Sequence, residues 1–175
     1  MKILFRLTAL ALCGLTAAGT AQAPAPVSDA FRSMEQRSAK NLVAAAEEMP
    51  ADKYGFKPTP AQMSVGDIVA HLSEGNDFLC SAIGGVAAPK RAELGKGASK
   101  EQLVARLRET FQFCDSALAR VNDTALDAKV PFFGGRSVTR SDAMFVTVED
   151  WGDHYSQLAI YLRLNGLLPP TAKRG

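Results

Sequence analysis

Residues 99–121 read SKEQLVARLRETFQFCDSALARV. Leu103, Leu107, Phe111, Cys114, Leu118 and Val121 recur at steps of three and four, which lays one apolar stripe along a helix, while Arg106, Arg108, Glu109 and Arg120 fall on the watered side. Ser99 stands where an N-cap belongs. A helix apolar on one face needs partners of the same kind, and three neighbours supply them. Upstream, Ser64 with Asp67 three residues later opens a helix carrying Val65, Ile68, Leu72, Leu79 and Ile83, which Gly84-Gly85 ends. Further upstream, residues 28–49 place Phe31, Met34, Leu42, Ala45 and Met49 on a buried face and stop at Pro50. Downstream, a helix starts at Ser141 and runs to Asn165, where Gly166 and then Pro169-Pro170 forbid continuation.

The intervals are loops. Tyr54 to Pro60 holds one glycine and two prolines, residues 86–98 hold Gly95 and Gly97, and residues 122–140 hold Pro131 and Gly134-Gly135. Lys129 to Phe133 suits a short extended piece, with no partner strand evident. The expectation is an all-α fold, a four-helix bundle with long connections, occupying residues 28–170 and followed by a tail at 171–175.

The chain of 175 residues, 47% apolar and 22% charged, fits one such domain. Its start reads differently from the rest. Lys2 and Arg6 precede the apolar stretch Leu7 to Leu15, and Ala21-Gln22-Ala23 is a small-residue cleavage site, so residues 1–23 read as a secretory signal peptide and 24–27 as a short linker. The apolar stretch is too short to span a bilayer, and Leu12 before Cys13 is too large for a lipobox. The expected product is exported, periplasmic or secreted, with no membrane association after cleavage. Without Lys2 and Arg6, the remaining Lys plus Arg balance the 18 Asp plus Glu. A neutral chain argues against nucleic-acid binding, which depends on clustered cations.

Export also governs the cysteines. Cys80 and Cys114 remain after cleavage, an even pair in a compartment where thiols oxidise, and a disulfide between them would pin the second helix to the third. The alternative is two buried thiols acting as small hydrophobes.

The chain has two histidines, His71 and His154. On the fourth helix Glu149, Ser156 and Arg163 share one side, and Trp151, His154, Leu158 and Leu162 the other, so His154 points inward with Asp150 one turn before it. A carboxylate placed there needs a cation, a proton or a hydrogen-bonded imidazole. His71 shares a face of the second helix with Asp67, Glu74 and Phe78. If the second and fourth helices adjoin, His71, Asp150 and His154 form an N/N/O set suited to Zn, Ni, Fe or Mn, with positions left open for water or substrate. The alternative is a His–Asp hydrogen bond in a polar patch of core. Trp151 and Tyr161 flank this place and read as core, Arg136 and Arg140 as solvated cations or anion holders, and Tyr54, Phe56 and Pro58 as a loop closing one end of the bundle.

The order Tyr54-Gly55-Phe56-Lys57-Pro58, Ile68-Val69-Ala70-His71-Leu72, His154-Tyr155-Ser156-Gln157-Leu158, then Tyr161 to Gly166 and Pro169-Pro170 resembles the DinB/YfiT-like superfamily over almost the whole of residues 24–175. That resemblance implies a four-helix bundle holding a divalent metal between a His on the second helix and a His-x-x-x-His pair on the last. His71 and His154 match two ligands. Asp150 stands where the family has the third His, which adds negative charge and shifts preference toward harder ions. The resemblance further implies metal-assisted chemistry on a thiol or water, as in a thiol transferase or a hydrolase, acting on a small-molecule substrate; the sequence leaves the assembly open, a homodimer being one option. A non-catalytic helical binding or structural module with a degenerate metal site is the alternative.

Overall fold

The computed structural model describes residues 25–95 and 97–173; the segment read as a signal peptide lies outside them. Four helices dominate: α1 Pro26–Glu48, α2 Val65–Gly84, α3 Lys100–Leu118 and α4 Arg140–Leu164. They pack in a ring in which α3 and α4 each lie between α1 and α2. Trp151, Leu42, Leu72, Leu107, Leu158 and Leu162 fill the centre, each essentially inaccessible to solvent.

Three helices carry capping boxes: Ser64 with Asp67 opens α2, Ser99 with Gln102 opens α3, and Thr139 with Asp142 opens α4. The last corrects the expected start at Ser141. Thr139 has the acidic partner three residues on that completes the reciprocal pair, and Ser141 instead meets the Thr139 hydroxyl at 3.1 Å. α1 begins at Pro26, within the stretch expected to be linker. Proline suits a first helical turn, and the Asp123 carboxylate accepts from the Val27 and Ser28 amides at 3.0 and 2.8 Å, capping the helix from a distant turn. The expected tail is anchored: Thr171 donates its amide to the Tyr155 hydroxyl at 3.1 Å, and Lys173 pairs with Glu48 at 2.6 Å.

The connection before α4 contains the partner strand that the sequence did not reveal. β1 Lys129–Pro131 pairs antiparallel with β2 Ser137–Thr139, in the register Val130 opposite Val138. Gly134 and Gly135 turn the chain at φ 67° and 71°, left-handed angles that glycine adopts without penalty. The hairpin lays Phe133 on Phe78 of α2, ring centroids 4.6 Å apart.

Cys80 and Cys114 form a disulfide joining α2 to α3, with Cα atoms 5.1 Å apart. One turn further along, these helices touch backbone to backbone: a Cβ on Gly84 would lie 2.5 Å from the Ala117 carbonyl oxygen. Gly84→Ala must therefore push the helices apart and is expected to lower stability by roughly 1–3 kcal/mol, measured by urea denaturation. A neutral or stabilising result would show that the approach is looser than described.

Of the expected α1 stripe, Phe31, Leu42, Ala45 and Met49 are buried, and one position departs from it. Met34 is 38% exposed, whereas its neighbour Glu35 is 2% exposed. Burial, and after it the like charge of Asp115, pushes the Glu35 carboxyl from 4.5 to about 7. Between those values the folded protein retains a proton that the unfolded chain has lost, so stability falls as pH rises through this interval. Glu35→Gln removes that dependence and is expected to be more stable at pH 8 by roughly 2 kcal/mol. Denaturation of both proteins at pH 4.5 and pH 8 checks it; an equal pH response in the two would refute it.

Candidate metal centre

His71 sits in the second turn of α2, and Asp150 and His154 are one turn apart on α4. Because α2 and α4 adjoin, the three side chains meet. His71 Nε2 lies 3.5 Å and His154 Nε2 3.4 Å from the same oxygen, Asp150 Oδ1. One ligand atom from each residue falls within 4.8 Å of the others, and the imidazole rings meet edge to face at 4.8 Å between centroids. Donors bound to one first-row ion at about 2.1 Å stand roughly 3.0–3.5 Å apart, which the two separations at Asp150 match, while the imidazole pair, within 4.8 Å, would draw closer on binding.

The environment is graded across the three. The His154 side chain is 8% exposed, Asp150 29% and His71 47%. The expectation of a site within the interior is thus corrected: His71 lies at the surface, and the centre opens to solvent on its side. The physical reason is that His71 lies beside the α2 stripe of Ile68, Leu72 and Leu79 instead of within it.

Burial alone would raise the Asp150 carboxyl, but the hydrogen bond and charge of His154, and after them those of His71, hold it below the usual carboxylate range. Burial alone would lower His154; its bond to Asp150 and that residue's charge, with smaller contributions from Gln157 and Asp153, outweigh this and hold the imidazole above its ordinary value. This pair therefore stabilises a charged acid and a charged imidazole, so a cation at the centre would compete with a proton for His154. His154 Nδ1 is buried without a hydrogen-bond partner among the described residues.

Neighbouring side chains take other roles. Trp151 turns away from the three and donates Nε1–H to Asn76 Oδ1 at 2.8 Å, between the rings of Phe31 and Phe111. Asn76 in turn donates to Thr110 of α3 at 3.2 Å. This buried polar link across α2, α3 and α4 escaped the sequence reading, although Asn76 interrupting the run Leu72, Leu79, Ile83 was the available signal. Tyr161 donates to the Met63 carbonyl at 3.1 Å and meets Phe56 edge-on, so the Tyr54–Pro60 segment does cover an end of the bundle. The Arg136 guanidinium lies over the Phe132 ring, and Arg140 donates to the Ala125 carbonyl, so each is tied to the connection before α4.

The DinB superfamily sequence profile matches residues 36–158, which include all three side chains. The chain belongs to the DinB superfamily. Solved DinB-like structures agree in fold. A DinB-like protein from Bacillus subtilis is 21% identical with a TM-score of 0.66, over 83% of this chain and 99% of that one. A DinB-like protein from Bacillus cereus is 16% identical with a TM-score of 0.68, over 81% and 95%. A mycothiol-dependent maleylpyruvate isomerase is 11% identical with a TM-score of 0.59; the match covers 75% of this DinB-superfamily chain and 60% of the isomerase. No curated protein matches the sequence.

Proposed function

We propose that this chain is an exported DinB-superfamily protein that holds a divalent ion between His71, Asp150 and His154 and uses it on a small-molecule substrate. The observation that carries the reading is the convergence of two imidazole nitrogens on one carboxylate oxygen, from two helices, with one side open. Two nitrogens and one oxygen suit Zn, Ni, Fe or Mn. A bound ion would supply a Lewis acid that favours the anionic form of a thiol or water, the chemistry of a thiol transferase or a hydrolase. Asp150 and His154 would fix its position from the sheltered side. Exposed His71 would stand at the mouth, where substrate arrives. Two turns along α2 from His71, on the same face, the Phe78–Phe133 contact offers an apolar wall for a substrate's carbon skeleton.

Fold similarity to the mycothiol-dependent isomerase supports the thiol branch. Export rests on the sequence of residues 1–23, which the Cys80–Cys114 disulfide supports. No helix among the described residues is long and apolar enough to cross a membrane. The domain reading, one unit over residues 28–170, and a homodimer are part of the same proposal.

A second reading, a helical module with a degenerate centre, is favoured by His154 Nδ1, since metal-bound imidazoles ordinarily donate their second nitrogen to an acceptor. Metal content separates the two. Protein purified from cells supplied with Zn, Ni and Mn is expected to carry about one ion per chain, and Asp150→Ala at least tenfold less. Equal, near-zero metal in both would leave the module reading.

A further inference from the structure

Glu35 belongs to no interaction described for the metal centre. It faces α3 from α1 and lines a cleft of ≈ 710 Å³ with Ala39, Val43, Phe111 and Asp115. Lys40 and Arg108 also border this cleft, but neither reaches Glu35. Arg108 pairs with Glu47, and Arg32, one turn before Glu35, is engaged by Asp29 and by the carbonyls of Leu118 and Val121. Among the described residues Glu35 thus has neither an ion pair nor a hydrogen-bond donor, although it is 98% buried, the complement of its 2% exposure. A carboxylate in that position favours any cation able to reach it.

The walls select the cation. Phe111, Val43 and Ala39 put apolar carbon beside the two acids, Gln36, Gln112 and Ser116 complete the lining, and Gln36 Nε2 donates to Asp115 at 3.4 Å. A divalent ion draws only on the oxygens of this lining and gains nothing from its apolar wall. An ammonium group gains from the acids, and its alkyl chain from the apolar wall. Lys40 and Arg108 at the border oppose a second positive charge.

We propose that the α1–α3 cleft is a binding site for a small primary monoamine, in which Glu35 and Asp115 receive the ammonium and Phe111, Val43 and Ala39 receive its carbon chain. The site uses a different helix pair from the metal centre and stands whether or not that centre holds metal.

The test is titration of the full exported chain with n-butylammonium chloride at pH 8, followed by NMR. Saturable shifts at Val43, Phe111 and Gln112 are expected, with none from butanol or from equal potassium chloride. Putrescine should bind more weakly than butylammonium. Glu35→Gln should weaken binding at least tenfold, and Asp115→Asn, a change at the exposed rim that leaves the core intact, several-fold. Absence of saturable shifts would overturn the proposal. So would equal affinity in Asp115→Asn and the unchanged protein, or putrescine binding more tightly than butylammonium.

Discussion

Zinc, nickel or manganese added to metal-free protein is expected to raise its melting temperature, and His71→Ala is expected to abolish the rise. An ion that binds the folded state alone, at a concentration 100 times its dissociation constant, contributes about 2.7 kcal/mol. For a domain of this size that corresponds to a shift of roughly 5–10 °C. His71 gives the cleanest variant because its side chain is 47% exposed, so truncation removes a ligand while changing the metal-free protein by only about 0.5 kcal/mol or less. Asp150→Ala and His154→Ala should abolish the shift too. Each also breaks the Asp150–His154 pair, so the quantity to compare is the increment on adding metal and not the starting temperature. If His71→Ala shows the same increment as the unchanged protein, ions are binding elsewhere and the three-ligand centre is wrong.

The parts of this molecule legible in sequence are those determined within a few residues. Ser64 with Asp67, and Ser99 with the apolar stripe after it, placed α2 and α3 because caps and periodicity are local. Gly166, at φ 74°, marked the end of α4 for the same reason. The buried face of α1 was legible at Phe31, Leu42, Ala45 and Met49, but not at one position. Counting apolar residues favours Met34 inside, whereas the ring of helices turns Glu35 inward and leaves Met34 in water. The β1–β2 pairing had a local signal in Gly134-Gly135, yet its strands are only three residues each, too short for an alternating pattern to register. Asp150 and His154, one turn apart, were legible as a pair from spacing alone. That His71 joins them depends on α2 lying beside α4, which the family resemblance implied and periodicity alone did not. How far His71 stands out into solvent depends on the rotation of α2 against its neighbours, a tertiary quantity that no window of sequence contains.

Reducing the Cys80–Cys114 bridge should cost more stability than metal supplies. The bonded residues are 34 apart in sequence, and closing a loop of that length in the unfolded chain corresponds to about 4 kcal/mol in the chain-entropy model, or roughly 10 °C in melting temperature. Cys80→Ala combined with Cys114→Ala should show the same loss in the absence of reductant. The metal increment offers a sharper discrimination. The disulfide ties α2 to α3, whereas an ion held by His71, Asp150 and His154 would tie α2 to α4, and no residue belongs to both. Their contributions should therefore add to within about 0.5 kcal/mol. The structure also names the route by which additivity could fail: Cys114 Sγ lies 3.6 Å from the Asn76 carbonyl oxygen, and the Asn76 side chain holds Trp151, the neighbour of Asp150. Calorimetry of oxidised and reduced protein, each with and without metal, measures both terms in one experiment. An unchanged melting temperature with both thiols titratable would refute a stabilising bridge, and a metal increment that collapses on reduction would show that Asn76 and Trp151 transmit the state of the disulfide to the centre.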